Sequence, residues 1–114
     1  MSECLFCKIM AGDIPSTMVA ESERACAFYD VAPQAPVHVL VVPREHIASA
    51  DDIAATHSGI MDELVLLAQR VVEMEGVRES GYRLVVNVGV DAQMTVAHLH
   101  LHVLGGRRLE WPPG

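Results

Sequence analysis

The sequence predicts an α+β domain built on a largely antiparallel sheet, and three observations carry that prediction. Candidate strands cluster toward both ends of the 114-residue chain, with one long helical stretch between them and no regular βαβ alternation. His98, His100 and His102 alternate with Leu99, Leu101 and Val103, the period-two pattern of a strand with one buried face. Ile60, Leu64, Leu67, Val71 and Met74 recur at helical spacing until Gly76 stops them, which sets a helix over 60–75.

The remaining elements follow in order. Residues 5–11 read as a short helix closed by Gly12 and Pro15, and 18–21 and 24–30 read as two strands across a polar Ser22-Glu23 turn. Pro33 and Pro36 punctuate the next loop. Residues 37–42 are β-branched and end at Pro43, which marks a central strand. Ser49 is placed to cap a short helix with Asp51 and Asp52 in its first turn. A strand over 82–88, a loop over 89–95 and the histidine strand over 98–104 complete the set. A chain of this length makes one domain, 1–114, with a cysteine hook at 4–7 and a tail at 105–114.

Composition narrows the function. A net charge of −7 argues against binding to DNA or RNA polymers, which need a positive face, but leaves room for a single nucleotide. No apolar run reaches membrane-spanning length, and the start carries no basic, apolar leader, so a cytoplasmic protein is expected. Neither standard glycine-rich phosphate loop occurs.

The chemistry lies in the histidines. Alternation puts three imidazoles on one face, and an imidazole can serve as nucleophile, acid, base or metal ligand near neutral pH. His38 sits in the central strand and joins that row if the two strands are neighbours. Cys4 and Cys7 form C-x-x-C, open to reading as a redox pair, a metal hook or two plain thiols. The redox reading lacks a preceding strand, and the metal reading needs two more ligands, which histidines supply. Cys26, in an apolar segment, reads as a small buried hydrophobe.

These residues resemble the histidine triad (HIT) family, in its HINT branch. The likeness rests on the run from His98 to Leu104 and on Phe6-Cys7-Lys8-Ile9, Gly12-Asp13-Ile14-Pro15 and Asp30-Val31-Ala32-Pro33-Gln34-Ala35-Pro36. It extends to His38, to Gly81-Tyr82-Arg83-Leu84-Val85-Val86-Asn87, and to the tail ending Trp111-Pro112-Pro113-Gly114. It implies a homodimeric fold with a five-stranded antiparallel sheet, one long helix and one short helix per chain. It also implies hydrolysis of purine nucleoside phosphoramidates, typified by AMP joined to an amine. No cofactor is implied for the chemistry itself.

By the same resemblance His100 is the nucleophile, forming a nucleotidyl-histidine. His102 contacts the phosphate and assists protonation of the leaving group, and His38 helps position the row. Asp30 matches the ribose-binding acid; Ile9, Phe28, Val31 and Leu40 match walls for the base; Asn87, Thr95 and Val96 match further nucleotide contacts. Cys4, Cys7, His46 and His98 resemble the two-cysteine, two-histidine structural zinc site of some members. The chain departs from close HINT relatives at Gln93-Met94-Thr95 and at Ala97, which bears on leaving-group recognition and on the pocket rim.

Three other readings compete: dinucleoside polyphosphate hydrolysis, nucleotide binding with little turnover, and a zinc-hydroxide hydrolase using His98, His100 and His102 as ligands. The stripe of Ile60, Met61, Leu64, Val65, Leu67, Ala68, Val71 and Val72 is wider than one sheet requires. Its width predicts packing of the helix against a second copy, with Val65 and Ala68 toward the partner.

Overall fold

The computed structural model describes residues 3–114. A six-residue helix, α1 (Leu5–Met10), precedes strands β1 (Met18–Glu21), β2 (Ala25–Tyr29) and β3 (Val37–Pro43). The long helix α2 (Ile60–Glu75) follows, then β4 (Tyr82–Val85) and β5 (Leu101–Gly105). The five strands form one antiparallel sheet, as the resemblance implies, and their order is β1-β2-β3-β5-β4. Single 3₁₀ turns occupy Ala50–Asp52, Ala55–His57 and Val90–Ala92. Ser49 caps the first, accepting the Asp51 N–H at 3.1 Å. No helix among the described residues is long and apolar enough to cross a membrane.

Every residue of β3 is buried, because the strand is covered on both faces. Val37, Val39 and Val41 point into the larger core, where Leu64, Leu67, Ala68, Val71 and Val72 of α2 meet Ala25, Ala27, Leu99 and Val103. Leu40 and Val42 point the other way, onto Phe6 of α1 and onto Cys26 and Phe28 of β2. Cys26 is thus the buried hydrophobe its neighbours suggest. Alanines at 25 and 27 leave room for the helix to lie close on β2, which is consistent with α2 crossing β1, β2 and β3 while β4 stays at the margin. At its C-terminus Gly76 takes a left-handed conformation (φ 71°), and Val77 N–H closes the helix on Val72 O.

Three strands are shorter than their patterns suggest, β2 by one residue at each end, and one inference about the helix changes. β4 ends at Val85 rather than residue 88. The β5 ladder begins only at Leu101, because the preceding residues pair elsewhere: Leu99 N–H bonds Ile47 O and His98 N–H bonds Val96 O. The apolar stripe of α2 is largely occupied by its own sheet, and Ala68, assigned above to a second copy, is fully buried in the chain's own core. Met61 and Val65 pack only partly against that core, together with Leu84 and Val86 at the β4 margin.

Gly106, directly after β5, turns the chain with φ +88°, and a Cβ there would stand 2.9 Å from Pro36 Cβ. Gly12 has a similar φ of +84° but open space around it. Gly106→Ala is therefore expected to lower unfolding free energy by about 2–4 kcal/mol, and Gly12→Ala by about 1–2 kcal/mol. Urea denaturation of both variants checks the ordering; equal losses would remove the role of the Pro36 contact.

Candidate active site

Antiparallel pairing of β3 with β5 sets Leu40 opposite His102 and His38 opposite Leu104, so both histidines lie on the α1 side of the sheet. Their rings meet, with His38 Nε2 2.9 Å from His102 Nδ1. His100 stands beside His102, ring centroids 4.9 Å apart. Of the row inferred from spacing, His38, His102 and His100 meet, whereas His98 and His100 precede the ladder and His98 turns to other partners.

Fixed partners decide which nitrogen of each ring holds the proton. The Gln34 N–H donates to His38 Nδ1 at 3.0 Å, so neutral His38 carries its proton on Nε2. That proton points to His102 Nδ1, with Asp30 Oδ2 also in reach at 3.4 Å, so His102 accepts at Nδ1 and carries its own proton on Nε2. His102 Nε2 is buried and has no protein partner, alone in this among buried side-chain nitrogens and oxygens of the described residues. The ring of His100 is fixed the other way round. Its Nδ1–H donates to the His98 carbonyl at 2.6 Å, which leaves a lone pair on Nε2 in the neutral ring.

Burial sets the charge state of these rings. It lowers the His38 pKa, with the Asp30 carboxylate opposing. It lowers His102 further, to about 4, helped by the His100 and His38 rings against the opposing Asp30. His102 is therefore neutral at pH 7, a hydrogen-bond donor through one N–H.

His100 and His102 border a cavity of about 390 Å³. Asp30, Ile9, Phe28, Val31, Leu40, Thr95 and Val96 line it with them, as the resemblance implies. Asp30 is set at the mouth by its own loop, Oδ1 accepting the Ala32 N–H at 2.8 Å. Asn87 follows β4 and does not line this cavity. Gln93 turns the chain in a left-handed conformation (φ 61°), so that Thr95, and not Gln93 or Met94, reaches the cavity wall. Ala97 lines an adjoining cavity beside Cys4 and His46.

Leu5, Phe6, Ile14, Pro15, Ser16 and Tyr29 also line the site and were not singled out from sequence as site residues. The signal for one of them was present, since Leu5 shares a helix face with Ile9 at i, i+4. Phe6 matters most: it is buried and stands edge-on to His100 with centroids 5.0 Å apart.

His98, fully buried, belongs to a second cluster. Its Nε2–H donates to Pro43 O at 2.9 Å, which leaves Nδ1 as a lone pair facing Cys4 Sγ at 3.3 Å, Cys7 Sγ at 3.6 Å and His46 Nδ1 at 3.1 Å. Burial lowers its pKa as well, which favours the unprotonated ring a metal needs. Cys7 Sγ lies 3.4 Å from His46 Nδ1, and all four donor atoms fall within 4.8 Å of one another. Ligands about 2.0–2.3 Å from a tetrahedral zinc are about 3.3–3.8 Å apart, so this donor set fits the ion in both chemistry and spacing. The same test goes against a zinc-hydroxide centre on the triad. His98, His100 and His102 do not converge as a metal group among the described residues, and His100 Nδ1 and His98 Nε2 are both committed to carbonyls. Asp30, His38 and His102 do converge, but His38 Nε2 holds a proton where a metal would bind.

Known proteins resemble this chain over most of its length. The HIT domain family profile matches residues 11–109. A HIT-like protein of Synechococcus elongatus is 47% identical over the full length of both chains. The purine nucleoside phosphoramidase of Escherichia coli is 38% identical across 94% of this chain and 90% of its own. Among solved structures, a HIT family hydrolase from Legionella pneumophila superposes with a TM-score of 0.94 at 46% identity, covering 98% of this chain and all of that one. A histidine triad protein from Clostridium difficile gives 0.92 at 39% identity over 96% of each chain. With the profile spanning most of the chain and the triad and its cavity intact, the protein belongs to the HIT family.

Proposed function

We propose that the protein hydrolyses purine nucleoside 5′-phosphoramidates through a covalent intermediate on His100. The observation that carries this reading is the opposed locking of two adjacent rings that border one cavity: His100 keeps a lone pair on Nε2 and His102 an unpartnered N–H. The apolar wall takes the base and Asp30 takes the ribose hydroxyls. His100 Nε2 attacks the α-phosphorus, the P–N bond breaks, and the amine leaves with its electron pair, gaining a proton drawn from solvent. His102 Nε2–H donates to the phosphate oxygen and to the departing nitrogen, which eases that proton gain. Water then attacks phosphorus, the bond to His100 breaks, and the nucleoside monophosphate is released. The likeness to a phosphoramidase favours this substrate class over dinucleoside polyphosphates. A committed nucleophile weighs against a binding protein without turnover. His100→Ala should reduce turnover of an AMP-amine substrate by 10³-fold or more while AMP still binds, roughly the scale on which nucleophile removal acts. A rapid quench should show nucleotidyl-protein by mass only in the wild type; an equally active variant would falsify the assignment.

The same reading includes a structural zinc on Cys4, Cys7, His46 and His98. With four protein ligands no position would be left for water, so a zinc held by these residues would serve structure and not chemistry. Elemental analysis of protein purified without chelator should find about one zinc per chain. Cys4→Ser with Cys7→Ser should lose it and lower the melting temperature. Metal-free wild type of unchanged stability would sink the site.

The functional unit is a homodimer of the cytoplasm, joined along the β4 margin. β4 is an edge strand, half-buried, with Leu84, Val86, Met61 and Val65 incompletely covered beside it. The tail follows the same edge. Arg83 donates to Glu110 O and lies 5.9 Å over the Trp111 ring, which is itself 80% exposed. Light scattering should give twice the 12.4 kDa chain mass. Val65→Glu should shift it to monomer with its helical content kept. Wild type that stays monomeric at micromolar concentration would rule the dimer out.

A further inference from the structure

We infer that the four-ligand centre and the nucleotide cavity are thermodynamically coupled through Phe6, so that zinc and nucleotide each tighten the other's binding. The inference rests on the zinc and nucleotide readings above and adds a link between them.

Phe6 lies between the two cysteines in sequence and between the two sites in space. Cys4 and Cys7 bracket it on α1, and Cys7 N–H donates to Cys4 Sγ at 3.5 Å, so Cys4 is both a cap of that helix and a proposed ligand. The Phe6 ring stands edge-on to His98, 5.9 Å between centroids, and edge-on to His100, at 5.0 Å. It also packs against Phe28 at 5.6 Å on the floor of the cavity. Leu5, Phe6 and Ile9 together make the α1 wall of that cavity. A second path runs through the backbone: His98 presents its ring to the cysteines and its carbonyl to His100 Nδ1.

A six-residue helix has too few internal hydrogen bonds to hold its own geometry. α1 stays in place through Phe6 and through what fixes Cys4 and Cys7. With zinc bound, four ligands anchor its first turn. Without zinc, the same turn is held only by the weaker thiol–imidazole contacts of 3.3–3.6 Å to His98 and His46. The wall is then ordered in part by the nucleotide itself, at a cost in affinity. Linkage makes the effect reciprocal: whatever factor zinc adds to nucleotide affinity, nucleotide adds to zinc affinity.

The test is equilibrium binding on the full-length protein, with AMP and Zn²⁺ as probes. AMP affinity is measured by calorimetry on zinc-loaded and chelator-stripped wild type. Zinc affinity is measured by competition with a chromophoric chelator, with and without saturating AMP. The two factors should agree and be about fivefold or more, within the usual range of coupling between sites. Cys4→Ser with Cys7→Ser should bind AMP as weakly as stripped wild type and show no zinc response. Phe6→Leu keeps an apolar side chain but loses the edge-on ring contacts, so it should still take up zinc while the factor shrinks toward one. Independent affinities in a wild type that binds both probes would overturn the coupling and leave the proposed activity standing. Failure to bind zinc or AMP at all would overturn the reading beneath it. A Phe6→Leu protein that binds both probes with the full wild-type factor would transfer the coupling from the ring to the His98 backbone path and overturn the role of Phe6.

Discussion

The hydrogen bond from His100 Nδ1 to the carbonyl two residues earlier, 2.6 Å long, is the contact on which the site depends. A neutral imidazole has one proton and one lone pair, and the two are not equivalent until a partner fixes the proton. The His98 carbonyl fixes it away from the cavity. The same peptide segment leaves the β ladder just before Leu101, which directs that carbonyl to His100 instead of to a neighbouring strand. The irregular start of β5 is thus what makes His100 a defined acceptor.

The rest of the fold keeps that contact dry and in register. β3 is buried along its whole length, so His38 and Leu40 hold fixed positions opposite β5. The larger core beneath, with α2 and its aliphatic face, anchors the sheet from the other side. On the α1 side the cover is thinner, one short helix and Phe28, and there the sheet opens into a cavity. One face is built for stability and the other for access.

Much of this was legible in the chain. Period 3.6 over 60–75 comes directly from how a helix points its side chains, and it held, whereas the period-two pattern around His98, His100 and His102 held as strand only from Leu101 onward. Strand ends were less legible, because they depend on tertiary partners: Ile47 O draws Leu99 out of the ladder, and no local pattern records it. The width of the α2 stripe misled for a related reason. Helical spacing gives a side chain's direction but not the breadth of the sheet that waits there, and Ala68 is buried by its own chain. The metal-type cluster needed four residues from three distant segments, so only likeness to a family could assemble it from sequence. The role of Phe6 is invisible at that level, since one more apolar residue in a short helix carries no mark of which rings it will touch.

The turn between β2 and β3 carries a burden out of proportion to its size. Its first residue, Asp30, places a carboxylate at the cavity mouth, and four residues on the Gln34 amide sets the proton on His38 and, through it, on His102. Two properties that could have been separate, where a carboxylate stands at the cavity and where a hydrogen sits, are written into one short stretch of backbone. A change of loop length there would alter both together, however well the new loop folded. Adaptation to other ligands is therefore steered away from this turn and toward the α1 wall, where side chains can change without moving a proton.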